Sequence, residues 1–188
     1  MAVHVLALFD WVEGLWETAA NTAVRQDIVN FRAKNKNATG LVFANYGTNE
    51  AKKLQANVLE AKPAAPKSGV DLAKVGAGDK LVIFGHGDNA KQEFGGYNSS
   101  RLGTDLVMWN LTAVDTIYLC GCEMGLGNFP RDLGMALSGV VTWKSIRAPK
   151  GFVKIGADGR KQVFWNEDGT DPVAKGRNKA AVAPKDCV

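Results

Sequence analysis

The sequence predicts an α/β fold in which a mostly parallel central sheet carries helices on both faces and a β-hairpin follows near the C-terminus. Three observations predict it. Short continuous apolar runs (VHVLALF, TGLVFANYG, LVIF and TIYL) recur along the chain, as strands buried on both faces require. Segments of helical period separate several of these runs, and a parallel crossover needs a connection of that size. Late in the chain, GFVKIGADGRKQVFW alternates across a central Asp-Gly, a strong short hairpin signal.

VHVLALF is the first strand. The segment from about Thr18 to Lys34 then puts Val24, Ile28 and Phe31 on one helical stripe. TGLVFANYG repeats the strand signal, and NEAKKLQANVLEAK the helix signal, with Leu54, Val58 and Ala61 on a shared face. KPAAPKSG has two prolines and no periodicity, so it reads as a surface loop. DKLVIFGHGD contains the third strand, and the glycine-rich KQEFGGYNSSRLG suits a hairpin or exposed loop. TDLVMWNL predicts a short helix capped by Thr104, and DTIYLCGCEMG is a fourth strand rich in β-formers. NFPRDLGMALSG predicts a helix with Asn128 as N-cap, Pro130 in its first turn and Gly139 as its stop. VVTWKSI is the fifth strand. From Asp171 the chain is rich in Lys, Ala and Pro, which predicts a mobile tail over 171–188 behind a single domain over 1–170.

Composition narrows the function classes. At 188 residues and 46% hydrophobic content the chain can bury one sizeable core. Its 23 Lys+Arg against 19 Asp+Glu are too balanced and too evenly spread to mark a nucleic-acid binder. Cys120, Cys122 and Cys187 are an odd, small set, which argues against a disulfide scaffold and for a reducing compartment. His4 and Asp10 interrupt the first apolar run, which has neither a basic leader nor a cleavage site. No run reaches the roughly 18 apolar residues of a membrane span. These features predict a protein that is cytoplasmic, or secreted without a Sec-type signal. H-G-D and C-G-C lack the spacing and ligand count of a zinc site, so no metal is expected. G-A-G-D at 76–79 precedes its strand, the wrong side for a dinucleotide fingerprint.

LVIFGHGDN ends an apolar strand in a histidine held between two glycines, and TIYLCGCEMG ends the next in a cysteine. Taken singly, G-H-G suits any loop, and a cysteine after an apolar strand suits a small buried hydrophobe. Taken together, His86 and Cys122 lie beyond corresponding ends of consecutive strands, where open α/β sheets bind ligands. A thiol attacks as thiolate, so it needs a base nearby and a route for returning the proton to the leaving group. Histidine serves both needs. Gly85 and Gly87 allow backbone to approach a substrate, and Gly121 allows the chain to turn so that nearby N–H groups meet an oxyanion. Asp88 and Glu123 flank the pair as candidates for orienting His86 or binding a basic substrate group. Asp10, at the end of the first strand, is another possible orienter.

IFGHGD, a polar loop, a short helix and TIYLCGCEMG, within about residues 78 to 165, resemble the caspase-hemoglobinase (clan CD) cysteine peptidases. L-x-G-C followed by a helix and a strand-hairpin region is similar to the self-cleaving protease domains of bacterial toxins, and CEMG to the C-E-S-G of legumain-type enzymes. The resemblance implies a caspase-like fold, Cys122 as nucleophile, His86 as general acid/base, and an oxyanion hole from the N–H groups of Gly87 and Cys122. It leaves Cys120 inside its strand with a structural role. SIRAPKGFVKIG is similar to the caspase segment that starts Ser-Trp-Arg. That similarity implies that Ser145 and Arg147 bind substrate, Arg147 pairing an acidic P1 side chain, with peptide running along an edge strand near Val141 to Ser145. Ile146 replaces the tryptophan of that segment, and no subunit linker follows Cys122.

The toxin likeness implies a bacterial effector or toxin protease that acts on protein or peptide, with no cofactor required. It also brings activation by inositol hexakisphosphate, for which Lys144, Arg147, Lys150, Lys154, Arg160 and Lys161 are the candidate basic residues. Two other classes stand beside the peptidase: a catalytically silent caspase-like domain that binds a peptide or partner protein, and a nucleotide- or phosphate-binding α/β domain.

Overall fold

The computed structural model describes residues 1–10, 18–35, 38–45, 47–59, 69–173 and 179–187. Five parallel strands form the sheet: β1 (Val3–Ala7), β2 (Val42–Ala44), β3 (Lys80–Phe84), β6 (Ala113–Cys120) and β7 (Thr142–Pro149). Antiparallel β10 (Lys179–Val182) completes it, in the order β10-β7-β6-β3-β1-β2. Two short ladders lie outside it: β4 (Gly87–Asp88) with β5 (Glu93–Phe94), and β8 (Phe152–Ile155) with β9 (Lys161–Phe164). The mostly parallel sheet flanked by helices is the architecture that the apolar runs predict.

The strands are apolar on both sides because both sides are covered. Leu6, Leu81, Ile83, Ile117 and Leu119 face one core with α3 (Ser99–Met108) and α4 (Phe129–Leu137). Val5, Ala7, Val82, Phe84, Tyr118 and Cys120 face the other, with α1 (Ala19–Lys34), α2 (Thr48–Gln55) and Ile155 of the β8–β9 hairpin. Hydrophobic burial at about 25 cal/mol per Å² on both faces is what fixes the strands in place.

Several expectations meet corrections. Asn98, not Thr104, caps α3: its Oδ1 accepts from the Arg101 N–H at 2.9 Å, while Thr104 sits inside the helix donating to the Ser100 carbonyl at 3.1 Å. The helix began a turn early because the polar NSSR is its first turn. At α4, Asn128 makes no side-chain cap. Gln92 Oε1, from the β4–β5 turn, accepts the N–H groups of Asn128 and Phe129 at 3.1 and 3.2 Å. Gly139 ends the α4 segment with φ +78°, as its sequence position suggests.

The expected tail does not stay outside the fold. Lys179–Val182 pair antiparallel with Ile146–Pro149, and Cys187, in the turn Pro184–Cys187, packs beside Gly134 of α4. KAAV is too weakly apolar to announce a strand; β7's unpaired backbone supplies the pairing. Apart from Gly69, the predicted KPAAPKSG loop lies outside the described residues.

His4 is structural. It is 5% exposed; its Nδ1 accepts the Leu41 N–H at 3.0 Å, which leaves Nε2 to donate to Asp79 Oδ2 at 3.3 Å.

One buried carboxyl carries a pH signature. Asp27 Oδ1 accepts the Ile155 N–H at 3.3 Å, while Asn30 Nδ2 donates to the Ile155 carbonyl at 3.0 Å, so α1 grips both backbone groups of one β8 residue. Burial outweighs the hydrogen bond and raises Asp27 from 3.8 to about 6. Between those values the folded chain holds a proton that the unfolded chain has released, so stability falls as pH rises through that window, and the loss is complete above it. Asp27→Asn keeps the acceptor and cannot ionise. The expected result is a gain of about 1–3 kcal/mol above pH 6 and a flatter denaturation midpoint between pH 4 and 6; an unchanged pH profile would contradict it.

Candidate active site

The crevice forms where chain direction across the sheet reverses. From β1 the chain crosses to β2 on one side and then returns to β3 on the other, so the carboxyl ends of β1 and β3 open apart there. Asp10 follows β1, His86 follows β3, and Cys122 follows the neighbouring β6.

Register brings the histidine and cysteine loops together. β3 and β6 pair from Lys80↔Thr116 to Phe84↔Cys120, so His86 and Cys122 each lie two positions past the last pair. The loops then touch. A Cβ on Gly87 would strike the Cys122 carbonyl oxygen and come within 2.9 Å of both the Cys122 nitrogen and Met124 Sδ. A Cβ on Gly121 would collide with the Phe94 ring and lie 2.5 Å from the Gly85 carbonyl oxygen. Only glycine permits backbone to approach this closely. Gly87→Ala is therefore expected to push the two loops apart and to lower the urea-denaturation midpoint by the equivalent of about 1–3 kcal/mol, the cost of overpacking a tight backbone contact. The same substitution at Gly78, where an added Cβ meets nothing within 4 Å, is the control.

His86 is exposed, and its carbonyl accepts the Gly95 N–H at 2.8 Å, which anchors it to the β4–β5 hairpin. By the alternation of an antiparallel ladder, the next pair, Gly87↔Phe94, is a non-hydrogen-bonded one, and the Gly87 amide turns away from β5. The Cys122 amide donates to no acceptor among the described residues. The following amides are engaged, Glu123 N–H donating to Gly151 O at 2.9 Å and Gly125 N–H to Pro149 O at 2.6 Å. Glu123 itself holds a left-handed φ of +56°, a strained conformation for a non-glycine residue, directly after the cysteine.

Cys122 is half-buried, and that burial pushes its thiol above the usual range. A hydrogen bond from the Val153 backbone acts the other way, while the carboxylates of Asp27, Glu123 and Glu167 oppose ionisation. Among the described residues no hydrogen bond joins the His86 ring to the sulfur. Cys120 is buried inside β6, its thiol raised well above the usual range by burial.

Asp10 is the polar group that the crevice buries. Its backbone is clamped, the N–H donating to Asn21 Oδ1 at 3.0 Å and the carbonyl accepting from Asn21 Nδ2 at 3.1 Å. Its Oδ1 is buried without a hydrogen-bond partner among the described residues, and burial raises its pKa, with the charge of His86 the main opposing influence. Sequence alone offers no sign of the Asn21 clamp, because an asparagine in a helix's first turn reads as surface.

The remaining candidates separate. Asp88 is committed to its own turn, accepting the Lys91 N–H at 3.0 Å and pairing with Lys91 Nζ at 3.3 Å. Ser145 and Arg147 do not reach the crevice. They pair with Thr116 and Tyr118, and Ser145 Oγ lies 3.1 Å from Thr116 Oγ1. At about 3.3 Å per residue these positions sit roughly 20 and 13 Å short of Cys122 along the strand. A short motif cannot show how far down a strand its residues fall. The β7 edge is also partly covered, since β10 occupies it from Ile146 to Pro149.

The six basic residues proposed for an inositol phosphate do not form one pocket. Lys144 pairs with Asp115 at 2.7 Å, Arg160 with Asp158 at 3.7 Å, and Lys154 donates to the Asp168 carbonyl at 2.9 Å.

No family model and no curated protein matches the sequence. Among solved structures, the chain aligns with a secreted C11 cysteine protease from Bacteroides thetaiotaomicron, "iotapain", at 13% identity and a TM-score of 0.40, over 79% of this chain and 52% of that one. The chain thus spans about half the length of that protease. No helix among the described residues is long and apolar enough to cross a membrane.

Proposed function

We propose that the chain is a cysteine endopeptidase with Cys122 as nucleophile, His86 as general acid/base and Asp10 as the residue that orients His86. The observation that carries this reading is the β3–β6 register, which sets the two loops against each other at the Gly87–Cys122 contact. A scissile carbonyl entering the crevice meets the Gly87 and Cys122 amides. The thiol proton passes to His86 as sulfur attacks, and the developing oxyanion is held by those amides. His86 then protonates the leaving amine, and water, deprotonated by His86, hydrolyses the thioester. At rest the sulfur is a protonated thiol, and substrate binding brings imidazole and sulfur into hydrogen-bond reach.

Glu123 gives the crevice an acidic flank, which favours a basic P1 side chain, whereas Asp88 is held by Lys91 and Arg147 lies away on the sheet face. The likeness of TIYLCGCEMG to toxin protease domains supports a bacterial effector setting.

A second reading has its own support. The raised thiol, with no histidine bonded to it, fits a catalytically silent domain that binds peptide in the same crevice. Profiling a peptide library with the wild type and Cys122→Ala separates the two. The peptidase reading expects cleavage after Lys or Arg that is lost in the variant; binding without cleavage by either protein selects the silent domain, and cleavage that survives Cys122→Ala ends the assignment.

A further inference from the structure

On the α1 face of the sheet a second group of chemistry-bearing side chains converges, outside the peptidase reading and independent of it. Lys80 opens β3, Lys161 opens β9, Lys179 opens β10, and Arg147 lies beside Tyr118 in the β6–β7 pairing. Two of the ammonium groups sit over the same ring, Lys161 Nζ at 4.2 Å and Lys80 Nζ at 5.1 Å from the Tyr118 centroid. Lys80, Lys161 and Lys179 line one cavity of about 250 Å³ with Tyr118 and Cys120. None of these four cations has an ion-pair partner among the described residues; Asp115, the carboxylate that Arg147 influences, is already bound by Lys144. The Tyr118 hydroxyl is buried without a hydrogen-bond partner among the described residues.

Like charges gathered in a partly desolvated cavity have two ways to relax. An anion enters, or one of the amines gives up its proton. Lys161 is placed for the second. Burial first, then Lys179 and Lys80, bring it from 10.5 to about 8. At pH 8 about half of it is free amine, against well under about 1% of an ordinary lysine.

We propose that Lys161 is a modification site that takes an acyl group from small acyl phosphates captured by Lys80, Arg147 and Lys179. The phosphoryl oxygens meet Lys80 and Lys179, which line the cavity, with Arg147 adding positive field beside Tyr118, and this places the acyl carbon against the Lys161 amine. Neutral Nζ attacks the carbonyl carbon, a C–N bond forms, and the C–O bond to phosphorus breaks. Inorganic phosphate leaves with the electron pair, and the surplus amine proton passes to it or to water. The product amide is uncharged, so the reaction removes one of four crowded positive charges. Acylated Lys161 then leaves the β9 end of the hairpin with an apolar cap over Tyr118.

The test is time-resolved peptide mapping by mass spectrometry after exposing the full chain to acetyl phosphate at pH 8. Lys161 is expected to acetylate at least about tenfold faster than the exposed Lys144 and Lys185, as a free amine in an anion-attracting cavity requires. Lys80→Ala with Lys179→Ala is expected to erase that preference, because the variant both loses phosphate capture and lets Lys161 regain its proton. Inorganic phosphate added to the wild type is expected to slow Lys161 selectively, a measurement that needs no variant to fold. Acetylation spread evenly over the exposed lysines, or a Lys161 preference indifferent to inorganic phosphate and to loss of both neighbours, would overturn the proposal.

Discussion

Cys122→Ala is expected to lower peptide hydrolysis by at least about a thousandfold, since no other nucleophile of comparable strength lies in the crevice among the described residues. His86→Ala is expected to match it to within about tenfold, because members of a catalytic unit fail together rather than additively. The resting chemistry of the thiol makes the result more specific than simple loss. Burial and three carboxylates hold Cys122 protonated, so alkylation by iodoacetamide should be slow at pH 7 and rise with a midpoint above the usual thiol value of 9.0. A peptidyl electrophile that fills the crevice should react much faster than iodoacetamide at the same pH, and that advantage should vanish in His86→Ala. Equal rates for the peptidyl and simple reagents in the wild type would show that no imidazole reaches the sulfur on binding, and the silent-domain reading would replace the peptidase. Asp10→Asn, acting through His86, should shift the pH profile of hydrolysis more than it changes KM.

Glu50→Ala is expected to be the most destabilising single substitution outside the apolar core. Arg25 Nε donates to Glu50 Oε1 at 2.8 Å, with the side chains 6% and 3% exposed, and the guanidinium lies 4.8 Å from the centre of the Phe9 ring. Removing one partner strands the other's charge in a low-dielectric interior, at a cost of about 3–5 kcal/mol. Part of the pair is already unsatisfied, because Arg25 Nη2 and Glu50 Oε2 are buried without hydrogen bonds among the described residues. Replacing both residues together by apolar side chains of similar volume should therefore cost far less than Glu50→Ala alone. Urea denaturation of the single and double variants measures this directly. The pair links α1 to α2 and Arg25 lies over Phe9, next to Asp10, so a less stable Glu50→Ala protein that folds should also show weaker hydrolysis.

The sequence by itself determined the strands, the helices between them and the two loops that matter. Val3–Ala7, Leu81–Phe84 and Thr116–Cys120 are legible because burial on both faces leaves no polar alternation, and glycines at 85, 87 and 121 announce backbone contact before any partner is known. Local chemistry can be written into a local string of residues in this way.

Tertiary structure decided everything that depends on register or on distant partners. It set Gln92 under the N-terminus of α4, Asn21 around Asp10, and KAAV against β7 as a sheet strand. It also placed Arg147 beside Tyr118 rather than beside Cys122, and gathered Lys80, Lys161 and Lys179 from three separate strands around one cavity. The physical reason is the same in each case. Sheet formation has already spent the loop-closure entropy, so a hydrogen bond or charge contact between distant residues then forms without any local pattern of its own, and only the folded register shows which residues meet.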